Sequence, residues 1–194
     1  MKILEVFPSL ILGKILNDIS QEEIDNYIKH CNKLEYVDLN VNGKYSKNQQ
    51  ILNNPLFSTL SSNIISYSKQ LLNKYNQLYE DIQISSSWAN ILNKNEYIDS
   101  HRHDNSYISG VFYLTKSSPI LFNSPLTELF EFKHDYYSNK EKKVSIKPQP
   151  NLLLLFPSYL GHIVPSSNVD NRYSIAFNII PKGEFGPPTA KLYL

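Results

Sequence analysis

The pattern of apolar and polar positions changes character once along the chain, near Tyr79. Before that point the periodicity is mostly helical. Residues 3–16 alternate loosely and contain Phe7-Pro8, which suits an edge strand or an extended entry segment, because proline cannot donate to a ladder. Ser20-Gln21-Glu22-Glu23 has the spacing of a capping box, in which the Ser hydroxyl accepts from the N3 amide while Glu23 reaches back. Ile24, Tyr27, Ile28, Cys31 and Leu34 follow at helical spacing and predict a helix to about Leu34. Residues 36–50 are polar, with a turn at Asn42-Gly43. Asn54-Pro55 opens a second helix as N-cap and N1 proline. Leu56, Leu60, Ile64, Tyr67, Leu71, Leu72 and Tyr75 then form one apolar stripe, the signature of a face packed on a partner.

From Gln83 onward the segments are short, rich in β-branched and aromatic residues, and punctuated by Asn, Pro and Gly. Strands are predicted at 83–93, 97–101, 107–115, 119–123, 143–147, 152–156, 162–165 and 172–180. Eight short strands without helical periodicity between them imply a β-sandwich with the strand count of a jelly roll. The expected fold is mainly β with N-terminal helices (α+β), a double-stranded β-helix with two helices packed on one sheet. We expect a single domain over 1–194. Its parts are an N-terminal strand and supporting helices in 1–80, a core in 83–180, and a C-terminal tail in 181–194 announced by Phe185-Gly186-Pro187-Pro188.

Composition narrows the classes. At 194 residues the chain can bury a real core, and its 14 tyrosines and 9 phenylalanines supply aromatic volume. A formal net charge of +1 argues against a broad polyanion-binding surface, so no nucleic-acid partner is expected. Cys31 is the single cysteine, which excludes an intramolecular disulfide and a cysteine-based zinc site and fits a reducing, cytoplasmic setting. The N-terminal stretch carries an acid and a proline and lacks a small-residue cleavage site, unlike a signal peptide. The longest apolar run, Leu152 to Phe156, is of strand length, so no membrane span is expected.

The chemistry concentrates in Glu96-Tyr97-Ile98-Asp99-Ser100-His101-Arg102-His103-Asp104. Residues i and i+2 of an extended segment project from one face, so His101 and His103 can aim both imidazoles at one point. By itself the stretch reads equally well as a metal clamp or as a polar turn. His30, on the first helix, and His134, in a charged loop, read as surface residues. His162 opens a strand after the buried run Leu152–Phe156 and the turn Pro157-Ser158. Ten residues later, Arg172, Ser174, Ala176 and Asn178 share one face of a strand whose other face carries Tyr173, Ile175 and Phe177. An Arg turned into a sandwich interior requires an anion, because a buried unpaired guanidinium is very costly. A carboxylate held by Arg172 with a hydrogen bond from Ser174 would meet that requirement.

These stretches together resemble the Fe(II)- and 2-oxoglutarate-dependent dioxygenases, and more narrowly a phage and bacterial branch of 2-oxoglutarate–iron oxygenases. They are Ser87-Trp88-Ala89-Asn90, His101-Arg102-His103 through Leu114, Leu155-Phe156-Pro157-Ser158 through Val164, and Arg172-Tyr173-Ser174-Ile175-Ala176-Phe177-Asn178. The resemblance covers about residues 83–180. It implies His101 and His162 as iron ligands, with Arg172 and Ser174 binding the distal carboxylate of 2-oxoglutarate and Asn90 as a further cofactor contact. The implied cofactors are Fe(II), 2-oxoglutarate and O2. The implied reaction is hydroxylation of a peptidyl or small-molecule substrate with release of succinate and CO2. Tyr97 and Tyr113 are candidates for the cavity wall or for the core. A homodimer is compatible with this reading.

The family's usual carboxylate ligand falls on His103. Three readings compete there: a three-His site of His101, His103 and His162; a carboxylate supplied by Asp104 or Asp99; or impaired catalysis. Asp104 is the poorer candidate, since it points to the opposite face of a regular strand; the resemblance implies a branch that accepts histidine at this position, and on that ground we favour the three-His site. Two other functions remain. One is a three-His metal dioxygenase of cupin type that does not use 2-oxoglutarate. The other is a non-catalytic jelly-roll binding module, since fold alone does not settle function. The 36–50 segment and the 124–143 loop, with Phe130, Phe132, Tyr136 and Tyr137, are expected as walls or lids over the site.

Overall fold

The computed structural model describes residues 9–75, 79–116, 118–125, 143–185 and 187–194. In chain order it contains β1 (Leu12–Ile15), α1 (Gln21–Cys31), β2 (Tyr36–Asp38), β3 (Lys44–Ser46), α2 (Ser58–Lys74), β4 (Asp81–Leu92), β5 (Ile98–His101) and β6 (Ile108–Tyr113). There follow β7 (Ile120–Asn123), β8 (Lys143–Ile146), β9 (Leu152–Pro157), β10 (His162–Val164), β11 (Arg172–Lys182), β12 (Glu184–Phe185) and β13 (Leu192–Tyr193). All eight predicted strands are present, with ends shifted by at most two residues. The mainly β fold with two helices stands as expected.

Both helix starts follow the sequence signals. Ser20 Oγ accepts from the Glu23 amide, and Glu23 Oε2 accepts from the Ser20 amide at 2.8 Å, closing the capping box. The helix ends at Cys31 and not at Leu34, because the Lys33 and Leu34 amides bond the His30 and Cys31 carbonyls and tighten the last turn. Asn54 Oδ1 accepts from the Leu56 amide, and a short 3₁₀ turn over Pro55–Phe57 leads into α2. That turn swings Phe57, not Leu56, into the core: Phe57 is fully buried against Tyr27, and Leu56 is exposed.

The sheets form a sandwich of antiparallel pairs. The larger has order β1-β9-β6-β11-β4-β3-β2 and the smaller β5-β10-β7-β8. Strand periodicity divides the continuous apolar runs between two cores. Leu153 and Leu155 of β9, with Tyr173, Ile175 and Phe177 of β11, pack on the side of the helices. Leu152, Leu154 and Phe156 face the smaller sheet together with Phe122 and Val164. The space between the sheets is therefore reached by only one face of β11, the face that begins with Arg172.

Gly110 of β6 lies opposite Phe177 in the register, and the Phe177 ring crosses directly over it. A Cβ there would fall inside that ring and 2.8 Å from the Leu154 carbonyl oxygen. Gly110→Ala is expected to destabilise the protein by about 1–3 kcal/mol through overpacking, measured by denaturant unfolding. An unchanged midpoint would show that Phe177 yields at no cost.

Candidate metal centre and anion pocket

Two neighbouring strands of the smaller sheet bring two histidines together. His101 ends β5 and His162 begins β10, and the two are direct partners in the antiparallel register. Their rings lie 4.2 Å apart, centroid to centroid. The strand ends at His101, so His103 stands in the loop beyond it and not on an extended strand. It reaches the same point because its amide donates to the Ser158 carbonyl at 3.0 Å, tying the loop to the turn that leads to His162. The His103 ring lies 5.3 Å from that of His101 and 5.4 Å from that of His162, and stacks on Trp88. One ligand atom from each of the three imidazoles lies within 4.8 Å of the others, close to the span a single divalent ion needs.

Neither nearby aspartate joins the cluster. Asp104 is exposed and paired with Arg102 Nε at 2.7 Å. Asp99 accepts from Asn42 Nδ2 at 3.2 Å. Among the described residues, the three histidines are the one group placed to hold a metal ion.

Burial, reinforced by His101, pushes the His162 imidazole down to about 3, against a hydrogen bond to the Leu160 carbonyl. Burial, then His101, also lowers His103, while Asn178 and Asp104 pull the other way. Both rings are thus neutral at pH 7, the form that binds a metal.

The second half of the site is built around a buried arginine. Arg172 is 1% exposed, and no carboxylate pairs with it among the described residues. Its Nη1 points to Ser174 Oγ at a long 3.5 Å, and its Nε is buried with no partner. The guanidinium lies 5.4 Å from the Tyr113 ring, and the Tyr113 hydroxyl is likewise buried without a hydrogen bond. Burial lowers the Arg172 pKa and raises that of Tyr113 to about 12. Ser174 pairs in register with both Asn90 and Tyr113, so the three residues stand side by side on one face. A cavity of about 200 Å³ joins this pocket to the imidazoles.

Every predicted site residue (His101, His103, His162, Arg172, Ser174 and Asn90) lines that one cavity. Tyr113 joins them, but Tyr97 does not. The 36–50 segment also contributes a wall: β2 and β3 form a hairpin on the edge of β4 that places Asn42, Lys44 and Tyr45 along the cavity. His30 is half-buried, edge-on to Phe57 and away from the site. His134, Phe130, Phe132, Tyr136 and Tyr137 lie outside the described residues. Sequence reasoning missed Trp88 as the ring beneath His103, although it stands two residues before Asn90 on the same strand face.

Comparison with known proteins gives the same direction. Residues 86–178 match a family described as "Putative 2OG-Fe(II) oxygenase". The fold is similar to that of an oxidoreductase of the 2OG-Fe(II) oxygenase family from Burkholderia pseudomallei (12% identity, TM-score 0.60), covering 88% of this chain and 83% of that one. It is similar to a Pseudomonas putida prolyl-4-hydroxylase (11% identity, TM-score 0.62), with 89% and 93% covered. HygX from Streptomyces hygroscopicus, solved with nickel, 2-oxoglutarate and hygromycin B bound, also matches (12% identity, TM-score 0.59), with 89% and 82% covered. No curated protein matches the chain. Among the described residues no helix is long and apolar enough to cross a membrane.

The lowered imidazoles give a testable acid dependence. The unfolded chain takes up protons near pH 6.5, whereas the folded His162 resists protonation until about 3. The unfolded state therefore binds more protons in that window, and stability is lost as pH falls from about 6.5. Thermal unfolding of the metal-free protein should show Tm falling between pH 7 and pH 5, with a shallower fall in His162→Gln. Identical slopes in the two proteins would contradict the buried neutral imidazole.

Proposed function

We propose that this chain, which matches the 2OG-Fe(II) oxygenase family over residues 86–178, is a hydroxylase that uses Fe(II), 2-oxoglutarate and O2 at a three-His iron centre. His101, His103 and His162 hold the metal, and Arg172 with Ser174 holds the distal carboxylate of 2-oxoglutarate. The observation that carries this reading is the buried guanidinium of Arg172, which has an unsatisfied Nε and no acidic partner among the described residues. A cation so placed is stable only with an anion, and a dicarboxylic acid bound there extends along the cavity toward the imidazoles.

The residues fit both groups. Three imidazole nitrogens suit a first-row divalent metal and leave the remaining positions open. Arg172 offers a planar fork to a carboxylate, with the Ser174 and Tyr113 hydroxyls as further donors. Asn90, beside Ser174, adds an amide that can orient the same ligand. Phe156, Val111, Ile120 and Val164 wall part of the cavity with apolar surface, so polar contacts made against that wall are screened less than in bulk water. Trp88 backs the His103 ring and limits its rotation. The bound metal and co-substrate supply the oxidising power, turning 2-oxoglutarate and O2 into succinate, CO2 and one oxygen atom inserted into a substrate C–H bond. A peptidyl or small-molecule substrate would share the cavity with Asn42, Lys44 and Tyr45 of the β2–β3 hairpin, which line it.

Anaerobic titration with Fe(II) and 2-oxoglutarate tests the proposal. A weak visible charge-transfer band should require both components and vanish in Arg172→Ala, while Fe(II) binding itself persists in that variant. Iron-loaded protein indifferent to 2-oxoglutarate would contradict it and favour the cupin-type reading, with Arg172 gripping a substrate carboxylate.

A further inference from the structure

The cavity that joins Arg172 to the imidazoles is small. At about 200 Å³ it lies below the roughly 300–1,000 Å³ of a site that encloses a drug-sized molecule. Once a dicarboxylic acid fills it, little room is left for a second molecule. The body of a substrate then lies elsewhere, with only its reacting end among the histidines.

A second cavity, of about 360 Å³, adjoins the first. Among the described residues His103 alone lines both. Three segments wall the second cavity. The end of α2 supplies Leu72 and Tyr75, the start of β6 supplies Tyr107 and Ile108, and the end of β9 with the turn beyond it supplies Pro157 and Tyr159. Two of these walls are fastened together. The Ser158 carbonyl accepts from the His103 amide at 3.0 Å, and the Ser158 amide donates to the Tyr107 carbonyl at 3.2 Å. The loop between His103 and Tyr107 is thus held at both ends, and the cavity is formed before any ligand arrives.

The walls offer rings and aliphatic surface, and their polar groups are mostly engaged. The Tyr75 hydroxyl accepts from the Leu10 amide, and the Tyr159 hydroxyl lies 3.1 Å from Ser9 Oγ. Ser106 Oγ donates to the Ile108 carbonyl at 2.9 Å. Asp104 is the one acid of the wall and is paired with Arg102, and no Lys or Arg lines the cavity among the described residues. An anion therefore finds no partner here, whereas an uncharged ring gains apolar and ring–ring contact. Tyr107 is 46% exposed and Tyr159 55%. Two half-bare rings leave the cavity open on that side, as a group borne on a longer chain requires.

We propose that this second cavity is the substrate subsite of the centre and takes an uncharged aromatic side chain of a peptidyl substrate, while a nearby residue of the same chain reaches the imidazoles. The role of the subsite rests on the reading of the three histidines as a metal centre; its occupancy by an aromatic side chain does not, and the test separates the two.

Capped pentapeptides Gly-Gly-Xaa-Gly-Gly, with Phe, Ala or Glu at the centre, are titrated into the metal-free protein while backbone ¹H–¹⁵N shifts are followed. Phenylacetamide serves as the free aromatic probe. The Phe peptide should shift the amides of residues 103–108 and of Tyr159 and bind more tightly than phenylacetamide. The Ala and Glu peptides should leave those amides in place. Tyr107→Ala and Tyr159→Ala should each weaken the Phe peptide about 2–10-fold, the range of one ring–ring contact. Tyr159→Phe keeps the ring and should keep the affinity. Equal shifts from the Phe and Glu peptides, or unchanged affinity in both alanine variants, overturn the proposal. Tighter binding of phenylacetamide makes a free aromatic molecule the occupant and overturns it too. So do shifts of these amides that grow with protein concentration alone, the mark of a second copy. Co(II) added to the complex should displace the ring-proton resonances of the bound Phe peptide through its paramagnetism. Peptide binding without Co(II) uptake contradicts the metal centre and keeps the peptide site. Co(II) uptake without peptide binding overturns the subsite alone.

Discussion

The site depends on one uncompensated charge. Arg172 sits on the innermost face of the larger sheet, almost wholly removed from water and without an acidic neighbour among the described residues. Nothing in the packing of the sandwich calls for a cation at that place. Its neighbours in the cavity, Val111, Ile120 and Val164, would accommodate an aliphatic side chain. Retaining a guanidinium at such a position costs stability that a bound anion restores. Arg172, Ser174, Ala176 and Asn178 succeed one another along one face of β11. Arg172, Ser174 and Ala176 of that face line the same cavity as the three histidines.

The histidines converge for a topological reason. β5 and β10 are neighbours in the smaller sheet, and their antiparallel pairing sets His101 directly against His162, although sixty-one positions separate them in the chain. His103 arrives by a different route, through a loop fastened to the β9–β10 turn. An all-imidazole set leaves a bound divalent cation one charge more positive than a set with a carboxylate. In a low-dielectric cavity that difference strengthens the grip on an anionic co-substrate.

The eight strands from β4 to β11 were legible in the sequence because their apolar alternation survives even in the buried runs. Leu152 to Phe156 reads as one block, yet its alternate residues serve two cores. The Arg172 face was legible for the same reason, since period two is a local property. What was not legible arises from contacts between distant segments. The end of β5 at His101 reflects the tether from His103 to Ser158, fifty-five residues away. The hairpin wall from residues 36–46 depends on pairing with β4, which the polar composition of that stretch conceals. Phe57 replaced Leu56 as the anchor of the second helix because the N1 proline opens a 3₁₀ turn, which rotates the side chains that follow. Asn178 was visible as a member of one face of β11, but the serines its side chain bonds, Ser86 and Ser109, come from two other strands.

The most direct measurement is X-ray absorption at the metal edge of the Fe(II)-loaded protein. Three imidazole ligands predict three sets of outer-shell imidazole scattering, with first-shell nitrogen near 2.1 Å. His103→Ala should remove one set. Two imidazoles in the wild-type protein, with an oxygen ligand unaltered by His103→Ala, would place a carboxylate at the metal and contradict the three-His centre.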